Sequence, residues 1–368
     1  MKYKNYILLF LSILYILIIN TSLYKKKKIA FINFNNNTSI KKTFLYIEDK
    51  SITHLNNKSP INISLSIDNS YIYPSLVVMT MCLENNDKNN HIIIFYLLLS
   101  NDFNDKNLEI FESLKLSYDV RINYYYMINY FDNLKKWKGS NAIYFKLFIP
   151  ILFPYIERMI HLDADTMVFK DLWEMFNLPF YSNYFLGQPT RKSLFKDKVL
   201  KKNMINVGVL LFNIKKLRED NKDFELLHYL FLKKYTEQMI IGYVCLPKIG
   251  YLPFKYGIFI MGGGIKGYIY RIQNNLIQKK INLTEVEEAL KDPAIAHVFC
   301  RPKHWKKGAK PIFGKILLCK KYQKIFYYYA KKTKYYKRIY NKYIKKKKIY
   351  YFSDSYFNFF NNIKFFFP

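Results

Sequence analysis

Hydrophobic and polar positions change rhythm repeatedly along this chain, and each rhythm predicts an element. Ile61-Asn62-Ile63-Ser64-Leu65-Ser66 alternates with period two, the mark of a strand. Pro74 to Leu83 is nearly all apolar and opens on a proline, which suits the first turn of a buried helix. His91 to Leu98 is a continuous apolar run, the pattern of a strand covered on both faces. Asp105 to Leu116 begins polar and continues amphipathic, predicting a helix, and Val120 to Tyr126 predicts another strand. Ile143 to Phe153 reads as helical up to Pro154, and Arg158-Met159-Ile160-His161-Leu162 as a strand that runs into Asp163. Strands separated by helical stretches predict an α/β domain built on a mostly parallel sheet with right-handed crossovers. Ligands of such sheets sit at the carboxyl ends of the strands.

Both ends depart from this alternation. From Tyr6 the run is apolar but for Ser12 up to Ile19, and it extends to Leu23 between lysine flanks. That length is close to the ~20 residues a spanning helix requires. A cleaved signal peptide is the rival reading, but no small-x-small cleavage site follows the run. An uncleaved membrane anchor over 1–28 is therefore expected. Lys25 to Lys28 outnumber Lys2 and Lys4, which places the bulk of the chain on the cytoplasmic face. Residues 29–60 read as a polar linker, and the α/β domain extends over 61–318. From 319 to 368 the composition changes again. Lys320 to Lys348 hold thirteen basic side chains and many Tyr, and no acid follows until Asp354. Such a tail is expected to adsorb to an anionic membrane surface.

Composition sharpens the outline. With 51% hydrophobic residues the 368-residue chain is no disordered polymer and has ample core for a large domain. Cys82, Cys245, Cys300 and Cys319 are scattered without a C-x-x-C pair, so buried free thiols are expected rather than a disulfide or zinc scaffold. The net charge of +32 seeks a polyanion, either nucleic acid or an acidic leaflet. Lys, Asn, Ile, Tyr and Phe share AT-rich codons, so the position of the lysines counts for more than their number. The aromatic, basic tail favours the membrane, and nucleic acid is not expected.

The sharpest chemical signal is His161-Leu162-Asp163-Ala164-Asp165-Thr166-Met167-Val168. Two carboxylates one residue apart leave an apolar strand on the same side. They repel unless a cation lies between them, and a hard divalent ion with oxygen ligands, Mn²⁺ or Mg²⁺, suits the pair. Gly262-Gly263-Gly264 is glycine-rich but belongs to no phosphate-loop pattern, and reads as a flexible loop.

The stretch from Ser140 to Leu172, SNAIYFKLFIPILFPYIERMIHLDADTMVFKDL, resembles the central signature of family 8 glycosyltransferases, the glycogenin and lipopolysaccharide galactosyltransferase group. Three further segments fall in that family's order. Ile63 to Tyr71 resembles its first strand and nucleotide loop, Ile205 to Asn213 its Asn-x-Gly-Val strand, and His297 to Trp305 its closing His-x-x-Gly-x-x-Lys-Pro-Trp. The resemblance implies a GT-A-like fold and transfer of a hexose from a UDP-sugar, with retention of configuration, to a glycan or glycolipid hydroxyl. It implies a metal held by Asp163, Asp165 and His297. It places Asp68, Asn69, Tyr71, Lys146, Asn206, Gly208 and Lys303 around the nucleotide, and Glu237 and Gln238 at the sugar.

The departures from that pattern are specific. Lys146 stands where the family has Arg, which keeps the charge without bidentate phosphate geometry. Thr236-Glu237-Gln238-Met239 falls where the family has Asp-Gln-Asp, so one acid is longer and one is lost. Cys300 replaces a glycine whose backbone approaches phosphate, and is expected to loosen that contact. Gln238 as nucleophile and front-face attack assisted by the leaving phosphate both stay open. A non-catalytic basic membrane or polyanion binder on a transferase-like fold is the alternative reading.

Overall fold

The computed structural model describes residues 46–47, 58–127, 134, 140–190, 204–232, 235–261, 281–311 and 317–345. Its strands are β1 (Tyr46–Ile47), β2 (Ser59–Ile67), β3 (His91–Ser100), β4 (Val120–Met127), β5 (Arg158–Leu162), β6 (Thr166–Val168), β7 (Phe185–Pro189), β8 (Ile205–Asn213), β9 (Ile249–Tyr251), β10 (Tyr256–Ile260), β11 (Ile295–Val298), β12 (Cys300–Arg301) and β13 (Lys310–Pro311). The helices used below are α1 (Ile72–Glu84), α2 (Leu108–Glu112), α3 (Ile149–Leu152), α4 (Trp173–Phe176), α5 (Ile214–Glu219), α6 (Lys222–Phe231), α7 (Glu237–Cys245), α8 (Leu283–Lys291), α9 (Leu317–Lys331) and α10 (Tyr336–Tyr343).

The main sheet has the order β1-β4-β3-β2-β5-β8-β7-β9. Strands β4, β3, β2 and β5 run parallel, as the alternation of strand and helix predicts. Beyond them β8 pairs antiparallel with β5 and with β7. A second sheet, β10-β11-β6, pairs β11 antiparallel with β6 and sets His297 opposite Thr166. Alternate residues of the central strands enter two cores. Ile63, Leu65, Ile160 and Leu211 pack on the α1 side, while Met159, Val207, Leu210 and Phe212 pack on the other. Every side chain of α1 from Pro74 to Leu83 is buried, matching the apolar run that announced it.

Several expectations require correction. The segment Asp105–Leu116 is a short helix α2 between two 3-10 turns rather than one continuous helix. The Asn104 side chain accepts from Lys106 N, and Ser113 Oγ donates to Ile110 O, so local side-chain bonds compete with a regular helix. Ala142–Phe148 is 3-10, and only α3 beyond it is α-helical. Pro150 has no N–H to continue a ladder begun upstream, so the α turn must start afresh around it. The span expected to be a linker contributes β1, paired with Tyr124 and Tyr125 of β4.

Two corrections concern the C-terminal part. Cys300 and Cys319 form a disulfide with Cα atoms 6.2 Å apart, while Cys82 and Cys245 are the buried free thiols expected. Nor is residue 319 a boundary. Tyr322, Phe326, Tyr327, Ala330, Tyr335 and Ile339 from α9 and its continuation into α10 are buried in the same core as α1. The lysines of these helices lie on the opposite, exposed face, which is why composition alone suggested a detached tail. No described helix is long and apolar enough to cross a membrane. The expected anchor, the glycine run and the end of the chain beyond 345 lie outside the described residues.

Candidate active site

The site forms where β5 leaves the main sheet and turns into β6. Asp163 N donates to Gly208 O at 2.8 Å, and Thr166 returns N–H and Oγ bonds to Asp163 O at 3.1 and 2.8 Å. This tight turn brings the two carboxylates together. β11 then delivers His297 from the second sheet, and the ligand atoms of Asp163, Asp165 and His297 all lie within 4.8 Å of one another. The three residues singled out as metal ligands are thus brought together.

Each of the three is oriented by a partner. Asn206 Oδ1 accepts from Gly208 N at 3.0 Å, which fixes the amide, and also accepts from His297 Nδ1 at 3.0 Å. With Nδ1 donating to Asn206, the ring turns Nε2 toward Asp165 Oδ1, 3.1 Å away. The donor set of two carboxylates and an imidazole nitrogen fits a divalent metal. Gly208 keeps the space clear, because a Cβ there would lie 2.3 Å from His297 Cε1 and 2.9 Å from Asp163 Oδ2. Asn206 and Gly208, expected at the nucleotide, both border the cluster itself.

Asp163 is held differently. Lys146 Nζ, 1% exposed, donates to Asp163 Oδ1 and to Val207 O, both at 2.9 Å. His161 Nε2 approaches the same Oδ1 at 3.4 Å, and its Nδ1 accepts from Ser64 Oγ at 3.0 Å. Burial, with Lys146 second, lowers the His161 pKa to about 4, so the ring is neutral and donates one proton to Asp163. Burial alone would raise Asp163, but Lys146 and His161 outweigh it and hold the carboxyl below the usual range. Lys303 pairs with Asp165 Oδ2. Lys303 and His297 likewise overcome burial and keep Asp165 ionised well below its ordinary value.

The Ser64–His161 pair belongs to no motif in the sequence. Its signal was two polar residues inside apolar strands, and the register of β2 on β5 sets Ser64 directly beside His161. The turn after β2 lies beside this cluster, with Tyr71 within electrostatic reach of Lys303 and Asp165. Asp68 Oδ1 accepts from Ser70 N and Ser70 Oγ, and Asn69 donates to Asp102 O at 2.9 Å. Asn69 thereby stitches the turn to the β3 loop rather than facing outward. Tyr71 stacks edge-on against Trp305, ring centroids 5.8 Å apart. Burial raises the Tyr71 pKa, opposed first by Lys303.

Glu237 and Gln238 open α7, with Thr236 Oγ1 accepting from Met239 N as its cap. Glu237 is half-buried, and burial pushes its pKa up to about 7. Lys146 pulls it down and Asp163 pushes it up, which locates the acid near the same carboxylate.

Sequence and fold comparisons agree with this geometry. A lipopolysaccharide 1,2-glucosyltransferase of Escherichia coli is 27% identical over 233 residues, 56% of this chain and 65% of that protein. The bifunctional glycosyltransferase WbbM shares the fold with a TM-score of 0.63 at 19% identity, over 78% of this chain and 52% of that one. The galactosyltransferase LgtC, solved with donor and acceptor sugar analogues, gives a TM-score of 0.57 at 15% identity over 74% of this chain and 96% of that one. The sequence of residues 62–309 matches the family Glycosyl transferase family 8, and with two thirds of its length and its whole carboxylate–histidine cluster inside that match, the chain belongs to this family.

Proposed function

We propose that this glycosyltransferase moves a hexose from a UDP-sugar to a hydroxyl of a glycan or glycolipid, with retention of configuration and with Mn²⁺ or Mg²⁺ held by Asp163, Asp165 and His297. The observation that carries the reading is the convergence of the ligand atoms of Asp163, Asp165 and His297 within 4.8 Å of one another. A bound divalent ion would supply Lewis-acid neutralisation of the leaving diphosphate. The chain's own residues do the rest. Lys303, 22% exposed and beside Asp165, is placed to meet phosphate oxygens as a mobile point charge. Lys146 is too buried to follow the substrate and acts by fixing Asp163. Asp68 and Tyr71 face the uridine. Glu237 and Gln238 at the start of α7 border the sugar, where an oxocarbenium-like transition state concentrates positive charge. A glycolipid acceptor is supported by the lipopolysaccharide-directed relative in Escherichia coli.

Attachment to a membrane belongs to the same proposal. Lys320, Lys321, Lys324, Lys331, Lys334 and Lys337 are all exposed along α9 and α10, and a face of that density suits an anionic bilayer. With the apolar Tyr6–Leu23 run it would hold the domain at the membrane beside a lipid-linked acceptor.

The test is a screen of UDP-sugars for UDP release with Mn²⁺, with and without lipid-linked acceptors. The expected result is release from at least one donor that EDTA abolishes. Undiminished activity in EDTA would remove the metal from the reading, and equal calorimetric affinity for ADP and UDP would remove the uridine role of Asp68 and Tyr71.

A further inference from the structure

The C-terminal helices touch both walls of the cleft without supplying any of the proposed ligands. One wall is the turn Asp68–Tyr71, closed by Tyr71 N donating to Asp68 O at 3.0 Å. The other is the turn from Lys303, closed by Lys306 N donating to Lys303 O at 2.9 Å. From α9, Tyr327 Oη donates to Trp305 O at 2.7 Å and Gln323 Nε2 donates to Lys306 O at 2.8 Å. The Cys300–Cys319 disulfide fastens the start of this second wall to the same helix. From α10, Tyr343 reaches both walls at once. Its Oη donates to Ser70 O at 3.4 Å, and its main-chain carbonyl accepts from Lys307 N at 3.2 Å. Beside it Lys342 Nζ lies 5.1 Å from the Tyr73 ring centre, and Tyr335 packs on the same ring at 6.5 Å. Ile339, fully buried, anchors the helix that carries them.

We propose that α9 and α10 form a brace across the nucleotide cleft, and that Tyr343 is the positioning residue that sets the gap between the Asp68–Tyr71 turn and the Lys303 turn. The inference rests on the reading of those two turns as the walls of a nucleoside diphosphate site. A diphosphate–uridine ligand must touch both walls together, so its affinity depends on their separation and not on each wall alone. Burial, with Tyr73, Tyr71 and Asp68 alongside, holds the Tyr343 phenol above its ordinary value, so it stays a hydrogen-bond donor at any working pH. The metal cluster stands on β5, β6 and β11 and does not depend on Tyr343 for its geometry.

The experiment compares the full chain with Y343F and Y343A by UDP calorimetry in Mn²⁺, donor KM, kcat and Tm. Removing the one oxygen in Y343F should raise the UDP Kd and donor KM roughly two- to tenfold, the range of a single lost hydrogen bond, while kcat stays within about twofold. Y343A should raise both further. I93V, a buried core change near the start of β3, serves as a purely structural comparison, lowering Tm with KM unchanged. If Y343A fails to fold, Y343F decides alone. Parent-like UDP affinity in Y343F overturns the brace while leaving the proposed reaction standing. A parent chain that binds no UDP overturns the nucleotide reading, and the brace with it.

Discussion

Asn206 and His297 sit 91 residues apart in the chain, yet one amide oxygen of Asn206 decides which nitrogen of His297 faces the carboxylates. Because that oxygen also accepts the Gly208 N–H, it cannot turn away and leave the ring free to flip. The orientation of the His297 ring is thus built into β8. Such outer partners of a ligating histidine typically contribute 10- to 100-fold in metal affinity. Asn206→Ala should weaken Mn²⁺ binding in the presence of UDP by about that factor, read by calorimetry. Unchanged affinity would mean that His297 is not a ligand through Nε2.

The two carboxylates should fail differently when neutralised. Asp163→Asn and Asp165→Asn should each lower turnover on the order of 10²-fold or more, since each removes charge from the ion site. Only the first also leaves the ammonium of Lys146, 1% exposed, without its charge partner. Stranding a buried ammonium costs more than stranding one that can reach water. Lys303 is 22% exposed and can turn to water instead. Denaturant melts should therefore show a large stability loss for Asp163→Asn and a small one for Asp165→Asn. Equal losses would contradict the asymmetry of the two lysines.

Glu237 gives the site a pH dependence. Its carboxyl is raised in the fold to about 7, chiefly by burial, from an ordinary value of 4.5. A raised carboxyl favours the folded state most below its unfolded pKa, and the advantage is lost as pH rises through about 7. Glu237→Gln should therefore gain stability relative to the parent between pH 5 and 8, by thermal melts across that range. Donor KM should also vary through about pH 7 in the parent and lose that variation in the amide variant. A parallel pair of curves would show that Glu237 does not titrate there.

How much of this was legible beforehand follows from the range of each interaction. The central strands and α1 announced themselves because burial on both faces leaves an unbroken apolar run, as in His91 to Leu98. Asp163, Asp165 and His297 were legible through their motifs. Their orientation was not, because Asn206, Ser64 and Lys146 act across strand pairings that one chain segment cannot reveal. The C-terminal helices misled for a different reason. Seven basic side chains dominate the composition of α9 and α10, while the Tyr and Phe that enter the core follow a helical spacing hidden among other tyrosines left at the surface. The disulfide was missed because its two cysteines carry no spacing signature.

That disulfide closes a loop of 19 residues between the His297 segment and α9. Loop-closure entropy for such a length amounts to about 3 kcal/mol. The double change Cys300→Ser and Cys319→Ser should lower unfolding free energy by up to that amount, with urea melts as the measurement. Non-reducing mass analysis of the parent should find two protons fewer than four free thiols require. Four titratable thiols in the unfolded, unreduced parent would show that the bond does not form.

The exposed basic face of α9 and α10 makes the last prediction. The inner faces of these helices are committed to the core, so deleting them would unfold the domain rather than detach a tail. The informative change alters charge and spares packing. Lys320, Lys321, Lys324 and Lys337 are exposed and can become Gln together without touching the buried Tyr322, Phe326 or Ile339. Each lysine near an anionic leaflet contributes about 1 kcal/mol, so the fourfold variant should partition onto anionic vesicles on the order of 10³-fold more weakly. The measurement uses a chain beginning at residue 29, so that the apolar Tyr6–Leu23 run does not mask the electrostatic contact. Salt should release the parent in the same assay, because the contact is screened within about 8 Å at physiological ionic strength. Neutral vesicles should retain neither protein, and UDP affinity should match between the two. If the variant binds anionic vesicles as tightly as the parent, these helices do not face the membrane, and the case for a lipid-linked acceptor then rests on the lipopolysaccharide-directed relative alone.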